Sequence, residues 1–169
     1  MTKLVKFITL EEFKNLLVAE KDRKFKLAYS LGFGSGLRIS EIVGYQGIKP
    51  LTKLQVNLSE HQIKVFGKGK KERITITSKW LNEGNLNLLP LKIPRRTLQD
   101  RFKKLCNRIL KKDLSFHSLR HGFANHLVNE KNTPLPIVQS LMGHSRLDTT
   151  GIYTKANPKK AVMEAFERF

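Results

Sequence analysis

The sequence predicts an α+β fold, mainly helical, with a small three-stranded antiparallel sheet. Three observations carry this. A Thr-Leu-Glu-Glu capping box at residues 9–12 opens a helix whose Leu10, Phe13, Leu16 and Leu17 share one face. Across residues 53–77 the apolar period becomes two, and LQVNL, QIKVF and RITIT read as strands joined by tight turns. Across residues 95–112 the helical period returns. Leu98, Phe102, Leu105 and Ile109 make one stripe, with Arg101, Lys104, Arg108 and Lys111 on the opposite one.

The other elements follow in order. Residues 22–31 read as a second helix, after which Gly32, Gly34 and Gly36 loosen the chain. The GFGSG stretch is not a phosphate loop, because no strand precedes it and no GK[ST] follows; close packing around Arg38 is the better reason for it. Arg38 opens the helix RISEIVG. Residues 82–94 are polar and proline-bounded, hence a connecting loop. The helix carrying His117 and Arg120 buries Phe123, Ala124 and Leu127 by spacing, whereas His121 and His126 by type are packed or exposed histidines. Pro134 and Pro136 start a helix with Ile137, Val138 and Leu141 inward, which Gly143 stops. Asn157 and Pro158 open a last helix, striped by Val162, Ala165, Phe166 and Phe169.

Composition bounds the function. A length of 169 residues suits one domain. No apolar run is long enough to span a membrane, and no secretory pattern opens the chain. The single cysteine, Cys106, excludes an internal disulfide and fits a reducing compartment. Thirty-two Lys and Arg against fourteen Asp and Glu leave a formal charge of +18, which favours a polyanionic partner, most often nucleic acid.

The stretch from Phe116 to Tyr153 concentrates the chemistry. His117 and Arg120 are three apart, on one helix face; Gly143 and His144 end the next apolar run, and Tyr153 follows. Together they suit phosphoryl chemistry. A guanidinium forks onto two non-bridging oxygens, an imidazole moves a proton, and a phenol can be a covalent nucleophile. A metal site at His117 and His121 fails, since the HExxH glutamate is missing and no cysteine or carboxylate set completes it.

The motifs HSLRH at 117–121, LMGHS at 141–145, TTGIY at 149–153, GLRISE at 36–41 and GKGKKER at 67–73 stand in family order. Together they resemble the tyrosine recombinase (phage-integrase) family, especially its Xer-like branch. The resemblance covers nearly the whole chain and implies that family's catalytic fold. It implies catalytic roles for Arg38, Lys68, His117, Arg120, His144 and Tyr153. Tyr153 would be the nucleophile forming a 3′-phosphotyrosine link, and Lys68 the acid for the leaving oxygen. Glu41 and His121 would support them from behind, since a free carboxylate facing the phosphate would repel it. Lys70, Lys71, Arg73, Arg101, Lys104 and Arg108 would meet the DNA backbone. No cofactor or metal is implied. The segment VGYQGIKPLTK is longer than usual for the family and lacks its customary acidic residue, which leaves that loop's conformation open.

The expected activity is site-specific strand exchange on double-stranded DNA. Rival readings are a type IB topoisomerase-like relaxation and a non-catalytic DNA-binding module. The expected organisation is one catalytic domain over residues 1–169, without the N-terminal core-binding domain usual in the family. It would be a monomer in solution and a tetramer on recombining DNA. The expected location is the cytoplasm, at the nucleoid, or a host's cytoplasm for a virus- or plasmid-encoded protein. The apolar stripe of residues 158–169 needs a groove; its own chain or, as the resemblance favours, a neighbouring subunit could provide one.

Overall fold

In the computed structural model, which describes residues 6–68, 71–143 and 158–169, both bonds of the capping box form at the start of α1 (Leu10–Ala19). The Glu12 N–H donates to the Thr9 hydroxyl at 3.2 Å, and the Thr9 N–H to Glu12 at 3.1 Å. Asp22 caps α2 (Arg23–Gly34), which runs on through Gly32 and Gly34 instead of loosening there. The reason is tertiary: side chains of Leu119 and Phe116 press onto Gly32, so the small residues let another helix approach. A short α3 (Ile39–Val43) starts directly after Arg38.

The unusual loop after α3 makes a tight turn closed by a Tyr45–Ile48 bridge, followed by a 3₁₀ turn at Lys53–Gln55. That turn shortens the first expected strand to β1 (Val56–Asn57). The Gln55 side chain explains it, accepting from the Thr52 N–H at 2.9 Å and donating to the Lys64 carbonyl at 2.9 Å. Hydrogen bonds a ladder would have supplied are thus made locally. Strands β2 (Gln62–Phe66) and β3 (Glu72–Ile76) complete an antiparallel sheet in the order β1-β2-β3, with Ile63 opposite Thr75 and Val65 opposite Arg73.

One helical turn, α4 (Glu83–Leu86), sits in the expected loop. Helix α5 (Arg95–Leu110) buries Leu98, Phe102 and Leu105 as its stripe predicts, while Ile109 is exposed. Helix α6 (His117–Asn125) continues into a π-helical turn at His126–Glu130, where His126 is buried and its Nδ1 lies 2.7 Å from Glu130. Helix α7 (Leu135–Met142) begins after Pro134 and ends at Gly143. The last helix is α8 (Pro158–Arg168).

Two apolar clusters share α6. One, with Phe13, Leu31, Phe33, Phe102 and Leu119, joins it to α1, α2 and α5. The other, with Ile76, Phe123, Leu141, Val162 and Ala165, joins it to β3, α7 and α8. Arg120 lies between Leu119 of the first and Phe123 of the second, at the seam. The α8 stripe is buried within its own chain. Val162 and Ala165 are covered, and Phe166 stacks on His61 at 3.7 Å with the Lys79 ammonium 4.0 Å from its ring centre. Phe169 packs against His126 and Phe123. No helix among the described residues is long and apolar enough to cross a membrane.

Candidate active site

The site forms where α2 passes into α3, beside the β2–β3 hairpin and the end of α7. Gly36 takes φ +66°, and a Cβ there would lie 2.6 Å from the Phe123 ring, so only glycine brings Arg38 this close to α6. Arg38 precedes α3 and Glu41 is its third residue. The Glu41 carboxylate is buried, with 1% of its side chain exposed. It accepts from the Arg38 N–H at 2.7 Å and from Arg38 Nη1 at 3.1 Å. From β3, Arg73 adds Nη1 at 2.6 Å and Nη2 at 2.9 Å.

Burial alone would raise the Glu41 carboxyl, but the hydrogen bonds and charge of Arg73, then those of Arg38, hold it below the usual carboxylate range. Arg120 is buried and donates to the carbonyls of Gly36 and Met142. Those bonds occupy two of the five N–H donors a guanidinium carries. Burial, then the charges of Arg38 and Arg73, push Arg120 down to about 9 against the pull of Glu41, so it stays a cation at neutral pH.

The remaining residues singled out from sequence are placed as follows. Lys68 is exposed at the hairpin tip, where Gly67 donates to the Lys71 carbonyl at 2.9 Å. A Cβ on Gly67 would be 3.7 Å from Glu41 Oε1, so the hairpin lies beside the arginine cluster. His117, the exposed first residue of α6, meets the His121 ring edge-on at 4.4 Å. Burial and then the Arg120 charge lower the His121 pKa, favouring the neutral ring. Lys71, Lys104 and Arg108 are exposed, as backbone contacts require.

Arg73 and Arg101 are placed differently. Arg73 is turned inward onto Glu41 and the Leu141 carbonyl, with 10% of its side chain exposed. Arg101 is half-exposed, yet its guanidinium holds the buried Glu20 at 2.6 and 3.0 Å. His144, Tyr153 and Lys70 lie outside the described residues.

The other nucleophile candidates are weak. Tyr29 is fully buried and donates to Glu20; burial and that carboxylate raise its pKa far above the ordinary phenol value. Burial pushes the Cys106 thiol up to about 12. Tyr45 is partly exposed under the Arg95 guanidinium, 4.5 Å away. No group of three or more His, Cys, Asp or Glu among the described residues is arranged to hold a metal.

The described residues thus form a helical domain carrying a three-stranded sheet, with arginines gathered around one buried carboxylate beside a lysine hairpin. The chain belongs to the phage integrase family, which it matches over residues 6–160. It is 32% identical to the tyrosine recombinase XerC of Thermodesulfovibrio yellowstonii over 94% of the chain and 60% of that protein. It is 38% identical to the tyrosine recombinase XerD of Pseudomonas aeruginosa over 72% of the chain and 46% of that protein. The chain thus spans about half to three-fifths of the length of these curated relatives. In structure, the integrase of mycobacterium phage Brujita shares the fold at TM-score 0.73, with 21% identity, over 99% of this chain and 59% of its own. The XerH site-specific recombinase bound to its difH substrate matches at TM-score 0.63, with 23% identity, over 90% of this chain and 51% of its own.

Proposed function

We propose that the chain catalyses site-specific recombination of double-stranded DNA by cleaving and rejoining strands through Tyr153. One observation carries the reading. Among the described residues, three guanidiniums, Arg38, Arg73 and Arg120, gather around a single carboxylate, Glu41, which leaves a formal excess of two positive charges there. The excess opens outward at Arg38, whose side chain is 41% exposed, and at the Lys68 hairpin. A phosphodiester supplies the missing negative charge, which grows on the non-bridging oxygens in the transition state.

In the step proposed, the Tyr153 oxygen attacks phosphorus and the bond to the 5′-oxygen breaks. A 3′-phosphotyrosine and a 5′-hydroxyl result. His117 accepts the phenol proton, since a free phenol with pKa about 10 is a poor nucleophile at neutral pH. Lys68 protonates the leaving oxygen, and His144 donates to the phosphate. Arg38 and Arg120 stabilise its charge. The phosphotyrosine link keeps the ester's energy, so rejoining needs no ATP, and guanidiniums supply the charge stabilisation a metal ion provides elsewhere. The same reading implies a monomer in solution, a tetramer on recombining DNA, and action in the cytoplasm.

A nicked suicide duplex tests this by trapping the covalent adduct, seen as a shifted protein band on a denaturing gel. Tyr153→Phe should bind the duplex and give no adduct, whereas Tyr45→Phe should give it. An adduct from the Tyr153→Phe protein would refute the assignment. Relaxation of a single supercoiled duplex without exchange between partners would favour the topoisomerase-like reading.

A further inference from the structure

We propose that Arg73 is a positioning residue, holding Arg38 and the end of α7 at a fixed separation; this rests on the strand-cleavage reading above. All three of its side-chain nitrogens are committed. Nη1 and Nη2 take the two oxygens of Glu41, and Nε donates to the Leu141 carbonyl at 2.8 Å. The same carboxylate holds Arg38 through its backbone N–H and Nη1. Arg73 therefore fixes Arg38 without touching it.

The next carbonyl along α7, that of Met142, accepts from Arg120, whose other bond goes to Gly36. A closed ring results. From α7 it passes through Arg73 and Glu41 to Arg38, back two residues to Gly36, and through Arg120 to α7 again. Gly143 shows how tightly it is drawn. Its φ is +66°, and a Cβ there would sit 2.6 Å from Arg73 Cδ, so α7 ends against the Arg73 stem.

A planar fork can close such a ring where a lysine cannot. The ammonium is a point charge on a flexible stem and cannot hold two carboxylate oxygens and a carbonyl in one plane. Opening one link lets Arg38 drift against Arg120. A misplacement of about 1 Å in a catalytic constellation costs on the order of a hundredfold in rate. Arg73 is one of four cations in the run from Lys68 to Arg73, so sequence alone counts it as a phosphate contact. Its inward guanidinium separates it from Lys71, which is exposed.

The test is Arg73→Lys, read by single-turnover adduct formation on the nicked duplex at saturating protein and by equilibrium binding across a salt series. Cleavage should fall about 10- to 100-fold. Affinity should stay within about twofold, with its salt slope unchanged. A phosphate contact would instead weaken binding, reduce the slope by about one, and leave cleavage at saturation intact. A purely structural residue would lower the melting temperature and leave cleavage intact well below it. Either outcome overturns the proposal.

If Arg73→Lys does not fold, Arg73→Gln combined with Glu41→Gln removes both buried charges and should show the same split; parent-like cleavage by that double variant overturns the proposal as well. The unsubstituted chain separates the two readings. If it forms no adduct, the strand-cleavage reading fails and this inference with it. If it forms adduct and the variant matches its rate, only the role of Arg73 fails.

Discussion

Glu41→Gln is the sharpest probe of how the arginine cluster is held. The carboxylate accepts four hydrogen bonds, two from Arg38 and two from Arg73. A carboxamide keeps one acceptor oxygen and turns an N–H₂ toward a guanidinium, so about half of these bonds are lost. Each bond to a charged group contributes about 1.5–3 kcal/mol, and removing one partner of a buried pair costs about 3–5 kcal/mol. The Arg38 share is discounted for its exposure, because solvent screens it. A destabilisation of about 3 kcal/mol at neutral pH follows.

The sign of the pH dependence is set by the depressed pKa of Glu41. A carboxyl whose pKa falls on folding contributes stability above its unfolded pKa, about 4.3, and loses it as the pH drops through the folded value. Parent and variant should therefore differ most at about pH 7 and converge as the solution is acidified toward about pH 3 and below. Glu12 and Glu20 are also depressed and add the same slope to both proteins, so the difference isolates Glu41. Urea unfolding at several pH values measures it. A neutral-pH difference below about 1 kcal/mol, or one that grows with acid, would refute the reasoning.

Two other outcomes are expected. Lys68→Ala should slow adduct formation on an ordinary phosphodiester by about 10²- to 10⁴-fold and recover when sulfur replaces the bridging leaving oxygen, which then needs no proton; absence of recovery would make Lys68 a phosphate contact only. Phe169→Ala should destabilise the isolated protein by about 2 kcal/mol, because the ring packs within the chain against Phe33, Phe123 and His126, and an unchanged urea midpoint would show that this seat is not occupied in solution.

What the sequence discloses is what local physics decides. The Thr9–Glu12 box and the Gly143 stop are complete within one helical turn, so residue type and spacing suffice. The pair of Arg38 and Glu41 is likewise readable, being three apart at the start of one helix. The first strand is misjudged because alternation cannot show that the Gln55 side chain captures Thr52 and Lys64. Helix α2 outlasts its expected end because α6 packs on Gly32 and Ser78 on Gly34, contacts far along the chain. The stripe of α8 announces a need for burial, but periodicity does not say against which surface. The site divides along the same line. Arg73 reaches Glu41 across 32 residues and Arg120 reaches Gly36 across 84, and neither pairing leaves a pattern in the sequence. For His144, Tyr153 and Lys70 the motif order alone speaks, since they lie outside the described residues.

The cluster's electrostatics bear on why a carboxylate belongs among the groups that the proposed reaction aims at a phosphate. Without Glu41, three buried or half-buried guanidiniums would repel one another, and the most buried, Arg120, is already pressed downward by its burial and then by Arg38 and Arg73. With Glu41, both outer arginines are oriented, and the carboxylate is hidden below them with 1% exposure. Its charge is thus spent on arginines and shielded from an incoming anion. The repulsion left on Arg120 is what a phosphodiester would relieve, more strongly as negative charge builds on its oxygens. Donors held in place before the reaction need no reorganisation during it. A cluster neutralised fully in the free protein would offer an anion no net charge, so one carboxylate among three guanidiniums, as the described residues have it, leaves positive charge for the phosphate of the proposed reaction.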